Sequence, residues 1–135
     1  MHSATFSNSA SRTTSWTGRT LSVLVVLFML FDGVIHLLSP APVLAAFAQL
    51  GYPAHLSLGI GILELLCTAL YVVPRTSVLG AVLLTAYLGG ATATQVRVEA
   101  GWFPVLFPAL VGALLWAGLA LRDGRVRALV APARA

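Results

Sequence analysis

Charge is scarce in this chain of 135 residues: 9% are charged, and only 4 are Asp or Glu. A soluble domain of this size carries about a quarter charged residues, so a globule with a water-covered surface is excluded. Lysine is absent, and all 8 basic residues are arginine, a usage compatible with a GC-rich bacterial coding sequence. Cys67 is the 1 cysteine. A lone thiol makes neither an internal disulfide nor a Cys-x-x-Cys redox pair, and its apolar surroundings read as packing. The chain has no glycine-rich dinucleotide fingerprint, haem-attachment motif or cysteine cluster, so no intrinsic electron-carrying cofactor is expected. The net charge is +4, but the arginines sit at the ends of apolar runs rather than among aromatics. They read as topology signals and lipid-headgroup contacts, and nucleic acid is not an expected partner.

What the chain has in plenty is apolar sequence, 59% of all residues, with a mean hydropathy of +0.93. Four runs approach the ~20 residues that cross a bilayer: about 19–38, 54–73, 76–95 and 103–121. Pro40, Pro42 and Pro53 separate the first two, Pro74 the second and third, and Gly101 precedes the last. The expected fold is all-α, a four-helix transmembrane bundle over 19–121. A Ser/Thr-rich N-terminal tail, 1–18, is expected to be disordered, and 122–135 to form a short basic cytoplasmic tail. Seven arginines flank one side of these spans, while Arg97 alone lies on the other. The positive-inside rule then places both termini in the cytoplasm. The first run is long for a signal peptide and is interrupted by Asp32 and His36, so cleavage is not expected.

The few polar residues inside the runs recur at helical spacing. Asp32 and His36 are an i, i+4 pair on the first run. Glu64 shares a face with Ser57, Gly61, Thr68 and Tyr71, and Tyr87 with Gly80, Gly90, Thr94 and Arg97. Lipid satisfies none of these groups, so the stripes should face one another. At ~1.5 Å of rise per residue, Glu64 and Tyr87 come level, and Glu64 should hydrogen-bond Tyr87 or Asp32. Asp32, His36, Glu64 and Arg97 are expected to converge in one polar pocket, with Tyr87, Thr94 and Gln95 as further ligand or proton-site candidates. No metal site is expected, because no recognised motif such as HExxH is present. His55 reads as a surface residue, and the small residues Ala86, Gly90 and Thr94, like Gly89 and Ala93, as helix-packing rows.

Several of these segments occur together in one known family. Phe31-Asp32-Gly33-Val34-Ile35-His36-Leu37, Leu50-Gly51-Tyr52-Pro53, Gly61-Ile62-Leu63-Glu64-Leu65, the stretch from Pro74 to Ala81 and the stretch from Tyr87 to Arg97 resemble the DoxX-like family of small bacterial membrane proteins. The resemblance covers about 21–121. It implies four transmembrane helices in the bacterial cytoplasmic (inner) membrane and a link to membrane oxidoreductase complexes, with no catalytic residue to carry over. Relatives often carry His where this chain has Gln95, and Gln neither titrates nor shuttles protons.

Three functions follow as expectations. The first is an accessory subunit of a membrane redox system that handles quinone, with the lipid bilayer and an oxidoreductase as partners. The second is a small proton-coupled transporter that uses Glu64. The third is a structural or assembly protein. Residue types and spacing leave enzymatic activity and oligomeric state open.

Overall fold

The computed structural model describes residues 5–130, with side chains described from 13 to 128. All of its regular structure is helical: α1 (Thr5–Leu38), α2 (Ala41–Gln49), α3 (Leu56–Val72), α4 (Ser77–Arg97), α5 (Trp102–Arg122) and α6 (Gly124–Val130). Three helical segments are long and apolar enough to cross a membrane: Thr13–Leu38 within α1, then α4 and α5. The apolar α3 is shorter, at 17 residues.

These four helices form a ring in which α1 packs on α3 and α5, and α4 packs on the same two. Cross-helix contacts show that neighbours run antiparallel. Ser22 of α1 meets Tyr71 of α3, while His36 meets Ser57. Tyr87 of α4 meets Glu64, and Thr85 meets Trp116 of α5. Outward-facing positions such as Leu27, Leu66, Leu79 and Leu110 are apolar and exposed, the surface a bilayer would solvate.

Helix extends beyond the expected 19–121 bundle at both ends. The stretch 1–18 was expected to be disordered, but helix runs from Thr5, and residues 1–4 lie outside the described residues. Once a stable span supplies the nucleus, each added residue costs little to extend it. Thr17 and Thr20 also satisfy their hydroxyls on the carbonyls of Thr13 and Trp16. In the basic tail, α6 forms after Asp123, whose carboxylate accepts from the Arg125 backbone N–H at 2.9 Å. Residues 131–135 of that tail lie outside the described residues.

The connection between the first two apolar runs, read as a proline-broken loop, contains α2. Proline in a first helical turn is compatible with helix because no donor is lost there, and Pro42 occupies that place. At the other end the Tyr52 N–H reaches the Phe47 carbonyl at 2.8 Å and the Gly51 N–H the Ala48 carbonyl at 3.1 Å. Gly51 has φ +72°, so this is a Schellman stop with glycine at its left-handed position. It sets the Tyr52 ring 6.0 Å from Phe47.

Candidate functional site

The site begins with the end of α1. The His36 carbonyl accepts from the hydroxyls of both Ser39, at 2.8 Å, and Ser57, at 2.9 Å. These bonds fix the last turn of α1 against the start of α3. Gly33 and Gly61 let the two backbones approach, since a Cβ on Gly61 would lie 2.8 Å from the Gly33 carbonyl oxygen. Asp32 and His36 are thereby carried to the face of Glu64.

Glu64 is fully buried. Its Oε2 accepts from the Tyr87 hydroxyl at 2.9 Å and lies 3.7 Å from His36 Nδ1. The same Nδ1 is 3.7 Å from Asp32 Oδ2 and 2.9 Å from the Asp32 backbone carbonyl. Glu64 Oε1 has no hydrogen-bond partner among the described residues. One ligand-capable atom from each of Asp32, His36 and Glu64 falls within 4.8 Å of the other two. Among the described residues, His36 is the one basic group paired with either carboxylate.

This cluster opens into a cavity of about 550 Å³. Asp32, His36, Tyr87, Thr94 and Gln95 line it together with apolar Ile35, Phe47, Ile60 and Leu63. The α2 segment forms part of its wall through Val43, Ala46, Phe47 and Leu50. Thr94 donates to the Gly90 carbonyl, so the Tyr52 hydroxyl donates to Thr94 at 2.9 Å. The side-chain amide of Gln95 makes no hydrogen bond with any described residue and borders the cavity.

Five of the seven candidate residues therefore line one space, Glu64 lies behind it against Tyr87 and His36, and Arg97 stands apart. Its guanidinium is exposed, donates to the Leu50 carbonyl and lies over the Tyr52 ring at 5.9 Å. The stop of α2 brings a carbonyl within its reach, and that contact replaces the expected convergence with the carboxylates. The expected packing row on α4 is also corrected: a Cβ on Gly89 or Gly90 would meet nothing within 4 Å. Gly90 faces the cavity instead. His55 is exposed, as its interfacial position implied. Phe47 and Tyr52 are wall residues that hydrophobic spacing did not reveal; Gly51 followed by Pro53 was the available signal of a helix stop.

A family model described as the DoxX-like family matches residues 20–118, most of the chain. The chain belongs to the DoxX-like family. No curated protein and no solved structure gives a significant match. In this DoxX-like chain the matched segment runs from the first turns of the α1 span to Gly118 of α5, and it contains the whole cavity and its polar cluster.

Proposed function

We propose that this DoxX-like membrane protein spans the bilayer four times with both termini cytoplasmic, and binds the carbonyl-bearing headgroup of a quinone-type amphiphile in the cavity beside Glu64. It would serve there as an accessory subunit of a redox system in a bacterial inner membrane. The Gln95 amide carries the reading. It is a neutral donor without a partner among the described residues, at the edge of a largely apolar space between helices. Such sites take an apolar ligand and orient it with a few polar groups. The donors of Tyr87 and Tyr52 are already committed to Glu64 and Thr94, so a carbonyl in the cavity finds its donor at Gln95. No cofactor motif is present, so electrons would come from a partner oxidoreductase.

A bilayer core of ~30 Å is longer than the 17 residues of α3, about 26 Å at 1.5 Å each. Local thinning of the bilayer accommodates that difference. The transporter reading requires a route past the half of the bundle around Tyr71. Leu84, Leu115 and Tyr71 are fully buried there, which favours a one-sided binding site.

Reporter fusions after Arg127 and within 45–52 test the topology; an exported C-terminus would sink it. In lipid nanodiscs, a short-chain quinone should quench intrinsic fluorescence saturably. Gln95→Leu should weaken binding about fivefold, the worth of one hydrogen bond of ~1 kcal/mol, and Gln95→His should restore it. Failure of the wild type to saturate would remove the quinone reading.

A further inference from the structure

The Asp32–His36–Glu64 cluster has features that carbonyl binding does not explain. Two carboxylates and an imidazole have been drawn together in an apolar bundle, with ligand-capable atoms within 4.8 Å of one another. A buried carboxylate without a compensating charge is costly in such surroundings. The nearest outward arginine, Arg97, is committed to the Leu50 carbonyl. Oε1 of the fully buried Glu64 has no hydrogen-bond donor among the described residues, and the neighbouring Asp32 carboxylate adds a like charge.

We propose that Asp32, His36 and Glu64 form a binding site for one divalent first-row transition-metal cation of the zinc, iron or manganese class. Charge is the first argument. Two carboxylates and a neutral imidazole around a divalent ion sum to zero, the state that apolar surroundings favour. Ligand chemistry is the second. Imidazole selects for transition metals, and carboxylates accept zinc, manganese and iron, so a mixed set excludes soft thiolate-preferring ions. Spacing is the third. The i, i+4 separation of Asp32 and His36 places both on one helix face, and Glu64 approaches from the facing helix.

Geometry requires only a small adjustment. His36 Nδ1 is 3.7 Å from both Asp32 Oδ2 and Glu64 Oε2. Ligands at ~2.0–2.2 Å from a tetrahedral cation lie about 3.3–3.5 Å apart, so the ring needs to close on each carboxylate by a few tenths of an ångström. His36 Nδ1 also gives up its contact with the Asp32 carbonyl, exchanging a proton for the metal as histidine ligands do. Tyr87, which donates to Glu64 Oε2, then serves as the outer partner that orients a ligating carboxylate. The cation has an entry path, since Asp32 is 38% exposed and both Asp32 and His36 line the cavity. Three protein ligands leave a coordination position open, the arrangement of reactive rather than purely structural sites. This proposal does not rest on the quinone reading.

Cobalt(II) is a direct probe because its visible absorption intensifies in low-coordinate protein sites. The purified full-length protein in nanodiscs, stripped with chelator, should bind about one equivalent of cobalt per chain, and zinc should displace it. Glu64→Gln and Asp32→Asn should each weaken binding on the order of tenfold or more, while Glu99→Gln, at the exposed α4–α5 turn, should leave it unchanged. Monodisperse elution and the unfolding temperature report whether each variant folds. If Glu64→Gln does not fold, the part-exposed Asp32→Asn carries the test. No saturable cobalt binding by the wild type overturns the proposal. So does wild-type binding by the folded Asp32→Asn variant. In neither case is the quinone titration affected.

Discussion

The half of the bundle around Tyr71 and the half around Glu64 are built from the same four helices, yet one is solid and the other is hollow. Around Tyr71 the backbones touch. A Cβ on Gly80 would sit 2.2 Å from the Tyr71 backbone nitrogen, and one on Gly118 2.7 Å from Ser22 Oγ. Leu84, Leu115 and Leu119 fill what remains, at 0–1% exposure. The hydroxyls there are paired: the Tyr71 hydroxyl donates to the Leu115 carbonyl at 3.0 Å and accepts from Ser22 at 3.0 Å. Arg122 donates through Nη2 to the Tyr71 carbonyl and lies 4.9 Å from its ring, while its buried Nε has no partner among the described residues. Around Glu64, Gly90 of α4 meets open space, a cavity of about 550 Å³ remains, and a buried carboxylate oxygen has no partner among the described residues. Packing alone does not need the second half to look so different from the first. The contrast separates what holds the bundle together from what is offered to a ligand.

The sharpest way to break this comparison is to hollow the solid half. Leu84→Ala should cost about 2–5 kcal/mol, the transfer free energy of the lost methyl groups plus a cavity that rigid neighbours cannot collapse. Denaturant titration in mixed micelles would measure it; a cost under ~1 kcal/mol would show that this half is not close-packed. Next comes a matched pair on one helix. Gly80→Ala should destabilise by about 1–3 kcal/mol because the new methyl meets backbone rather than a movable side chain. Gly90→Ala, with nothing within 4 Å, should be neutral or stabilising by up to ~1 kcal/mol through the better helix propensity of alanine. Equal effects in thermal unfolding would erase the distinction between the halves.

A smaller change is expected from Tyr71→Phe. It keeps the ring under Arg122 but leaves Ser22 Oγ without its acceptor and the Leu115 carbonyl with its helical bond alone, for about 1–2 kcal/mol. Because the cavity lies in the other half, ligand affinity should not move, and a matching loss of quinone or cobalt binding would show that the halves are coupled. The smallest effect belongs to Asp123, outside both halves. The Arg125 backbone N–H donates to its carboxylate and holds it below the ordinary carboxylate range. A carboxyl so lowered stabilises its helix cap above the unfolded value of ~3.9 and loses that contribution as pH falls through the folded value. Amide exchange in α6 should therefore accelerate on acidification, and Asp123→Asn should flatten the response without altering the bundle.

Composition and hydropathy determined the most general facts: so few charges and such long apolar runs leave helices in lipid as the economical solution. Spacing also brought out the level pairing of Glu64 with Tyr87, because a fixed rise per residue turns sequence distance into depth. The i, i+4 relation of Asp32 and His36 was legible for the same reason. Tertiary structure decided the rest. Arg97 shares a helix face with Tyr87 in sequence, but the Schellman stop of α2 put the Leu50 carbonyl beside it and drew it away from the carboxylates. Gly89 and Gly90 look in sequence like the close-packing glycines at Gly80 and Gly118, because glycine carries no side chain that reveals whether its neighbour is backbone or empty space. The cavity itself was illegible. A void is defined by atoms from α1, α2, α3 and α4 together, and local periodicity records which face a residue occupies but not how far away the opposite face will stand.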